Sequence, residues 1–129
     1  MPGRASVLVV EDDPDLVALL EVVLQDAGYR VSTAADGFEA LRRVEAEMPS
    51  LILLDMRMPR MNGWEFAEEF RARWDRSCPI VVVTAAENAR LRAEEIGADG
   101  WLEKPFELED VLRAVERYLG SPSAPAAGP

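Results

Sequence analysis

Glu11, Asp12, Asp55, Thr84 and Lys104 are the residues of this 129-residue chain whose types and placement could do chemistry together. They stand at the ends of short apolar runs and supply three carboxylates, a hydroxyl and an ammonium. Two carboxylates about 4 Å apart repel by roughly 4 kcal/mol at an effective dielectric near 20, and a third adds to this. Such a group must bind a cation, take up a proton or pair with Lys104. All-oxygen ligands without histidine suit a hard divalent ion. A site with few protein ligands and open water positions favours Mg2+ over a closed calcium cage, with Mn2+ as the alternative. The spacing of an EF-hand is absent, because Pro14 and Leu16 interrupt it. A carboxylate beside such an ion, with an ammonium and a hydroxyl nearby, meets the needs of in-line attack on a phosphoryl group. In that arrangement Asp55 is the nucleophile and becomes an aspartyl phosphate. Asp12 ligates the metal directly and Glu11 more remotely, Lys104 holds one phosphoryl oxygen, and Thr84 donates a hydrogen bond to another.

Taken singly, each residue has a blander reading. Glu11 and Asp12 serve as solvated turn residues, Thr84 as a strand-end hydroxyl and Lys104 as a surface lysine. Asp55 is harder to dismiss, because it follows LILL and precedes Met56, where an unpaired acid is expensive. Asp13 and Asp15 are set aside: the first caps a helix and the second is a first-turn acid favoured by the helix dipole.

Composition narrows the chemistry further. Histidine is absent, which excludes every mechanism needing imidazole as base, nucleophile, metal ligand or phosphocarrier. Cys78 is the only cysteine, so no internal disulfide or multi-cysteine metal site forms, and a reducing interior is the natural setting. Of 14 basic residues 13 are Arg, and the one Lys, Lys104, places a compact ammonium where a point charge serves. With 24 acidic residues and a net charge of -10, nucleic acid is not an expected partner of this chain alone. No run reaches the roughly 18 apolar residues of a membrane span, and the first residues are too few and too polar for a signal peptide. A cytoplasmic location without membrane contact is expected. Neither a GxxxxGK[ST] loop nor a Gly-rich kinase loop is present, so no nucleotide is expected and the phosphoryl group must come from outside.

The elements that must position these residues follow from hydrophobic period. Apolar runs at 6–10 (SVLVV), 29–33 (YRVST), 51–54 (LILL), 80–83 (IVVV) and 100–102 (GWL) read as strands. Three of them are almost continuously apolar, as in strands covered on both faces. Helix signatures lie between and after them. Asp13-Pro14 opens one with a stripe of Leu16, Leu20, Val23, Leu24 and Ala27, closed by Gly28. Asp36 to Glu39 has capping-box spacing and leads into Leu41, Val44 and Met48. Asn62-Gly63 opens a third with Phe66, Phe70 and Trp74, and about 87–96 gives a weak fourth with Ala89, Ala93 and Ile96. Leu108, Val111, Leu112, Val115 and Leu119 make a strong fifth. Five strands alternating with five helices predict an α/β fold, a doubly wound (βα)5 parallel sheet with helices on both faces. Ligands of such sheets bind outside the carboxyl ends of the strands, where the five residues stand. A single domain over 4–119 is expected, with 120–129 (GSPSAPAAGP) as a non-packing tail or linker stub.

VLVVEDD at 7–13, LLDMRMPRMNG at 53–63, VVVTA at 81–85 and GADGWLEKPF at 97–106 together resemble the receiver domain of two-component response regulators. The resemblance implies the flavodoxin-like strand order 2-1-3-4-5. It also implies Asp55 as phosphoacceptor, Glu11 and Asp12 as the acidic pair, Thr84 as switch hydroxyl, and the backbone carbonyl of Arg57 as a further metal ligand. A cis Lys104-Pro105 bond, a histidine kinase or histidine phosphotransfer protein as donor, and a switching surface on helix 4, strand 5 and helix 5 follow from it too. Trp101 occupies the switch-aromatic position, where Tyr, Phe or His is commoner, and a plain core or rim tryptophan is the other reading. The interval from Thr84 to Lys104, 20 positions, is short beside that family, which leaves the length and pose of the fourth helix to the structure.

Two other functions compete with this one. An aspartate-nucleophile phosphatase or mutase resembles DxD with a general acid two residues on, whereas position 57 is Arg and no cap domain fits. A phosphorylation-independent interaction module leaves the acids, Thr84 and Lys104 without a purpose. The expectation is therefore a phosphoacceptor rather than an enzyme, with an unknown downstream protein partner.

Overall fold

The computed structural model describes residues 4–85 and 88–120. Among them strands and helices alternate: β1 Ser6–Val10, α1 Pro14–Asp26, β2 Arg30–Ala34, α2 Gly37–Ala46, β3 Leu51–Leu54, α3 Gly63–Trp74, β4 Ile80–Thr84, α4 Ala89–Ile96, β5 Gly100–Glu103 and α5 Leu108–Leu119. All strand pairs are parallel, in the order β2-β1-β3-β4-β5.

Alternation along the three central strands divides the core in two. Leu8, Val10, Ile52, Leu54, Ile80 and Val82 meet Ala40, Leu41, Val44, Phe66, Phe70 and Ala93 of α2, α3 and α4. Their neighbours Val7, Val9, Leu51, Leu53, Val81 and Val83 meet Leu20, Leu24, Val111 and Val115 of α1 and α5. Both faces are covered, which is why β1, β3 and β4 are apolar at nearly every position. The α4 signature is weak for the same reason in reverse: only Ala89 and Ala93 of that helix are buried.

Strand ends move by a residue where the pairing register, rather than local hydrophobicity, sets them. β2 runs Arg30–Ala34 instead of 29–33, because Ser6 to Val10 pair with Arg30 to Ala34 and Glu11 N–H donates to Ala34 O at 2.9 Å. Tyr29 is thereby left in the preceding turn, buried, with its hydroxyl donating to Gly120 O at 2.8 Å. β4 and β5 each gain a last residue through the pairing of Thr84 with Glu103. α4 begins at Ala89, not near 87, with the Asn88 side chain capping Leu91 N–H at 3.1 Å, and Gly97 ends it at φ 65°. Residue 87 and the expected tail from 121 to 129 lie outside the described residues.

The helix starts behave as their caps predict. Asp13 accepts from Asp15 and Leu16 N–H. Asn62 and Glu65 form a reciprocal capping box. At α2 the box is offset: Asp36 accepts from Glu39 N–H at 2.8 Å, while the Glu39 carboxylate reaches back to Ala35 N–H.

Gly63, the first residue of α3, is required by space. A Cβ there would lie 2.7 Å from Met56 Cα and 2.8 Å from Asp55 O, both backbone atoms that cannot swing aside. Gly63→Ala is expected to destabilise the fold by about 2 kcal/mol, as overpacking does, despite the better helix propensity of Ala. Urea unfolding would show it, and an unchanged midpoint would refute it.

Candidate functional site

The carboxyl ends of β1, β3, β4 and β5 carry the five predicted residues to one edge of the sheet. Glu11 and Asp12 follow β1, Asp55 follows β3, Thr84 closes β4 and Lys104 follows β5. The edge opens where the chain order reverses, between β1 and β3, the usual ligand position of an open parallel sheet.

Glu11 and Asp55 are buried, at 4% and 5% exposure, and Asp12 is exposed. One carboxylate oxygen from each of the three lies within 4.8 Å of the others, a spacing that fits a shared hard cation. Lys104 Nζ divides itself unequally among the acids, 2.7 Å from Glu11 Oε1 and 3.6 Å from Asp55 Oδ2. The other Glu11 oxygen accepts from Asp13 N–H at 3.1 Å. Both Glu11 oxygens are therefore engaged by the protein, while Asp12 faces solvent. The Lys104-Pro105 bond is cis, as the resemblance implies.

Electrostatics follow from burial. Desolvation is the largest influence on Glu11 and carries its pKa up to about 7, against the Lys104 hydrogen bond and with help from the Asp55 charge. Asp55 is also raised, again by burial first. Lys104, Arg57 N–H and the Thr84 hydroxyl pull it back, and Asp12 pushes it up. Arg57 N–H approaches Asp55 Oδ1 at 3.4 Å. Burial works against the Lys104 charge, but Glu11 and Asp55 outweigh it and hold the ammonium above its ordinary value. Thr84 is fully buried against this carboxylate.

Trp101 is 48% exposed on β5, with the Arg90 guanidinium 5.9 Å from its ring centre, so it belongs to the rim and not to the core. Cys78 is buried and free, and desolvation pushes its thiol up to about 12, which makes it inert at neutral pH.

Two neighbours of the site were not foreseen. Asp36, read only as a helix cap, is buried and pairs at 2.5 Å with Arg60, which sits in the β3–α3 loop at φ 65°. Backbone N–H donation from Glu39 and the Arg60 charge outweigh burial and hold the Asp36 carboxyl below its usual range. Trp64, in the first turn of α3, lines a cleft of about 410 Å³ with Asp12, Met56, Arg57, Met58, Pro59 and Asn62. Their partners are 24 and 31 residues away in sequence, so no local signal marks them.

Comparison with known proteins places this geometry. The family model described as "Response regulator receiver domain" matches residues 7–116. Among curated relatives, the alkaline phosphatase synthesis transcriptional regulatory protein PhoP of Bacillus subtilis is 37% identical over 116 residues, covering 88% of this chain and 48% of that protein. The transcriptional regulatory protein PrrA of Mycobacterium leprae is 41% identical over 115 residues, covering 88% of this chain and 49% of that protein. The chain thus spans about half the length of the curated relatives it matches. Among solved structures, chemotaxis protein CheY4 of Vibrio cholerae superposes with a TM-score of 0.82 at 37% identity, over 91% of this chain and 100% of that one. The receiver domain of sensor histidine kinase PA1611 of Pseudomonas aeruginosa, solved with a magnesium ion coordinated in the active site cleft, superposes with a TM-score of 0.82 at 34% identity. That match covers 92% of this chain and 100% of the other. No described helix is long and apolar enough to cross a membrane.

Proposed function

The chain belongs to the response regulator receiver family, and from that premise we propose that Asp55 accepts a phosphoryl group from a phosphohistidine on another molecule. The observation that carries this reading is the convergence of Glu11, Asp12 and Asp55 within 4.8 Å of one another beside Lys104. Binding of Mg2+ falls to Asp12, Asp55 and the Arg57 carbonyl, with Glu11 as the remoter acid. When bound, the ion supplies positive charge against the oxygens of the transferred group.

The protein's own groups divide the remaining work. A carboxylate oxygen of Asp55 attacks phosphorus, an O–P bond forms, and the N–P bond to the donor imidazole breaks with its electron pair leaving on nitrogen, which then takes a proton. Lys104, now held by Glu11, is close enough to Asp55 to pair with the added phosphoryl charge. Thr84 already touches the acceptor carboxylate and can transfer its hydrogen bond to a phosphoryl oxygen. Because these 129 residues include no histidine, the donor imidazole lies outside them, on a histidine kinase or histidine phosphotransfer protein. Leu16, Leu19, Pro105, Phe106 and Leu108 line an apolar groove of about 470 Å³ beside Lys104, a surface suited to that donor.

Output follows from where Thr84 and Trp101 sit. Transfer of the buried Thr84 hydroxyl from Asp55 to a phosphoryl oxygen shifts the end of β4, and Trp101, on the neighbouring strand β5, is drawn toward it from the rim. The exposed faces of α4, β5 and α5 change with it and form the surface offered to a downstream protein. DNA binding by the whole protein would require a further domain.

Incubation with acetyl phosphate and MgCl2 is expected to add one phosphoryl group to the chain, read by intact mass, and EDTA is expected to prevent it. Labelling that proceeds equally in EDTA would exclude the metal-dependent reading.

A further inference from the structure

α4 has a small apolar hold on the molecule: Ala89 and Ala93 are buried, Ile96 packs partly buried against the core, and Leu91 is exposed. Its polar fastening to α3 has two parts, the Arg71 bond to Gly97 O at its C-terminal end and a cluster at Trp64, the second residue of α3. Trp64 Nε1 donates to Glu95 Oε1 at 2.8 Å. Arg92 Nη1 donates to both Glu95 oxygens, at 3.0 and 3.1 Å, and the Arg92 guanidinium lies 6.0 Å from the Trp64 ring centre. Arg92 Nε is buried without a hydrogen-bond partner among the described residues. A buried donor without a partner costs stability, so it offsets part of what the other contacts of this fastening contribute.

Trp64 also borders the site, and of the three acids Asp12 is the one that shares its cleft, along with Arg57. Its backbone follows Gly63, whose N–H donates to Met56 O at 2.9 Å and whose α-carbon is packed against Asp55 O and Met56 Cα with no room for a methyl group. A shift of the backbone at Asp55 and Met56 therefore carries the start of α3 with it, and Trp64 moves as part of that rigid joint.

We infer that Trp64, Glu95 and Arg92 form a latch between α3 and α4, and that Trp64 is the positioning residue that makes α4 respond to occupancy of the acid cleft. The inference rests on the reading of that cleft as the metal and phosphoryl site. It requires nothing of Trp64 in binding or chemistry. The latch is a two-state element biased at one end by the cleft and read at the other by α4.

Amide hydrogen exchange of the α4 segment, with and without MgCl2 and beryllofluoride, tests this, while calorimetric titration with MgCl2 reports binding separately. Trp64→Phe keeps an aromatic ring and removes the donor. Glu95→Ala removes the acceptor at a partly exposed helical position where alanine is a good helix former. In the wild type, ligand is expected to change α4 exchange at least about threefold. In either variant the ligand-free exchange rises about fivefold, the worth of roughly one hydrogen bond, and the ligand-dependent change disappears. Combining both substitutions adds little to either alone, since they break one latch. A variant whose α4 responds to ligand as strongly as the wild type overturns the latch. So does a wild type that binds magnesium while its α4 stays unchanged. A wild type that binds no magnesium overturns the reading of the cleft as well.

Discussion

Asp55→Asn is expected to abolish acetyl-phosphate labelling, lowering it by at least about 100-fold, because the amide removes the nucleophilic oxygen charge that the reaction consumes. The substitution nearly preserves shape, and the surroundings can absorb it. Arg57 N–H can donate to an amide oxygen as it does to Asp55 Oδ1. Lys104 keeps its shorter contact, the one to Glu11 at 2.7 Å. Removing one of three crowded carboxylates also relieves repulsion and a desolvated charge, the two influences that raise Asp55. In magnesium-free buffer the variant is accordingly expected to be more stable than the wild type, by about 1 kcal/mol, since most of the repulsion is already offset by Lys104. Loss of labelling with a raised urea midpoint therefore separates chemistry from folding. Undiminished labelling of this variant would remove Asp55 as acceptor, and a fall of several kcal/mol in stability would show that its charge is a structural pair for Lys104.

The site was legible in the sequence because its residues stand immediately after strands whose faces are both buried. LILL followed by Asp55 is the clearest case: four apolar residues covered on both sides leave an acid at the first position where the chain can turn. Asp13 and Asn62 were legible as caps because a cap bonds two or three residues ahead. What escaped depends on pairs far apart in the chain. Nothing near Asp36 indicates that Arg60 closes over it, and nothing near Trp64 indicates Glu95. The edge strands were misplaced by a residue because β2 is only half buried and β5 alternates, so register with the neighbouring strand decides their ends. The sequence left three outcomes open for the clustered acids, namely cation, proton or Lys104. The structure pairs Lys104 chiefly with Glu11 and leaves burial to raise both Glu11 and Asp55, so in the metal-free protein the proton competes with the cation for the same oxygens.

That competition has a measurable sign in the metal-free protein. An acid whose folded pKa lies above its unfolded value binds more protons folded than unfolded between the two, so stability falls as pH rises through that window. For Glu11 the window runs from the ordinary 4.5 to about 7, and at roughly 1.4 kcal/mol per unit the loss is about 3 kcal/mol. Asp55 is shifted the same way and deepens it. Lys104 does not oppose the trend, because a raised lysine contributes stability that is fully present below its ordinary 10.5 and is lost only above it. Asp36 acts at the other end: its lowered pKa contributes stability above its ordinary 3.8 that is lost as pH falls through the folded value. In EDTA the protein is therefore expected to be most stable near about pH 5 and to lose about 3 kcal/mol by pH 8. Magnesium binds the deprotonated acids of the folded state, and at 100 times its dissociation constant it restores about 2.7 kcal/mol. Its stabilisation should grow with pH over the same window and largely flatten the profile. Glu11→Gln should flatten much of the EDTA profile without magnesium, leaving the slope that Asp55 contributes. Urea midpoints between pH 5 and 8 decide the matter. A flat wild-type profile in EDTA would mean that Lys104 alone compensates the acids, and a magnesium effect independent of pH would mean that the ion binds somewhere other than this cluster.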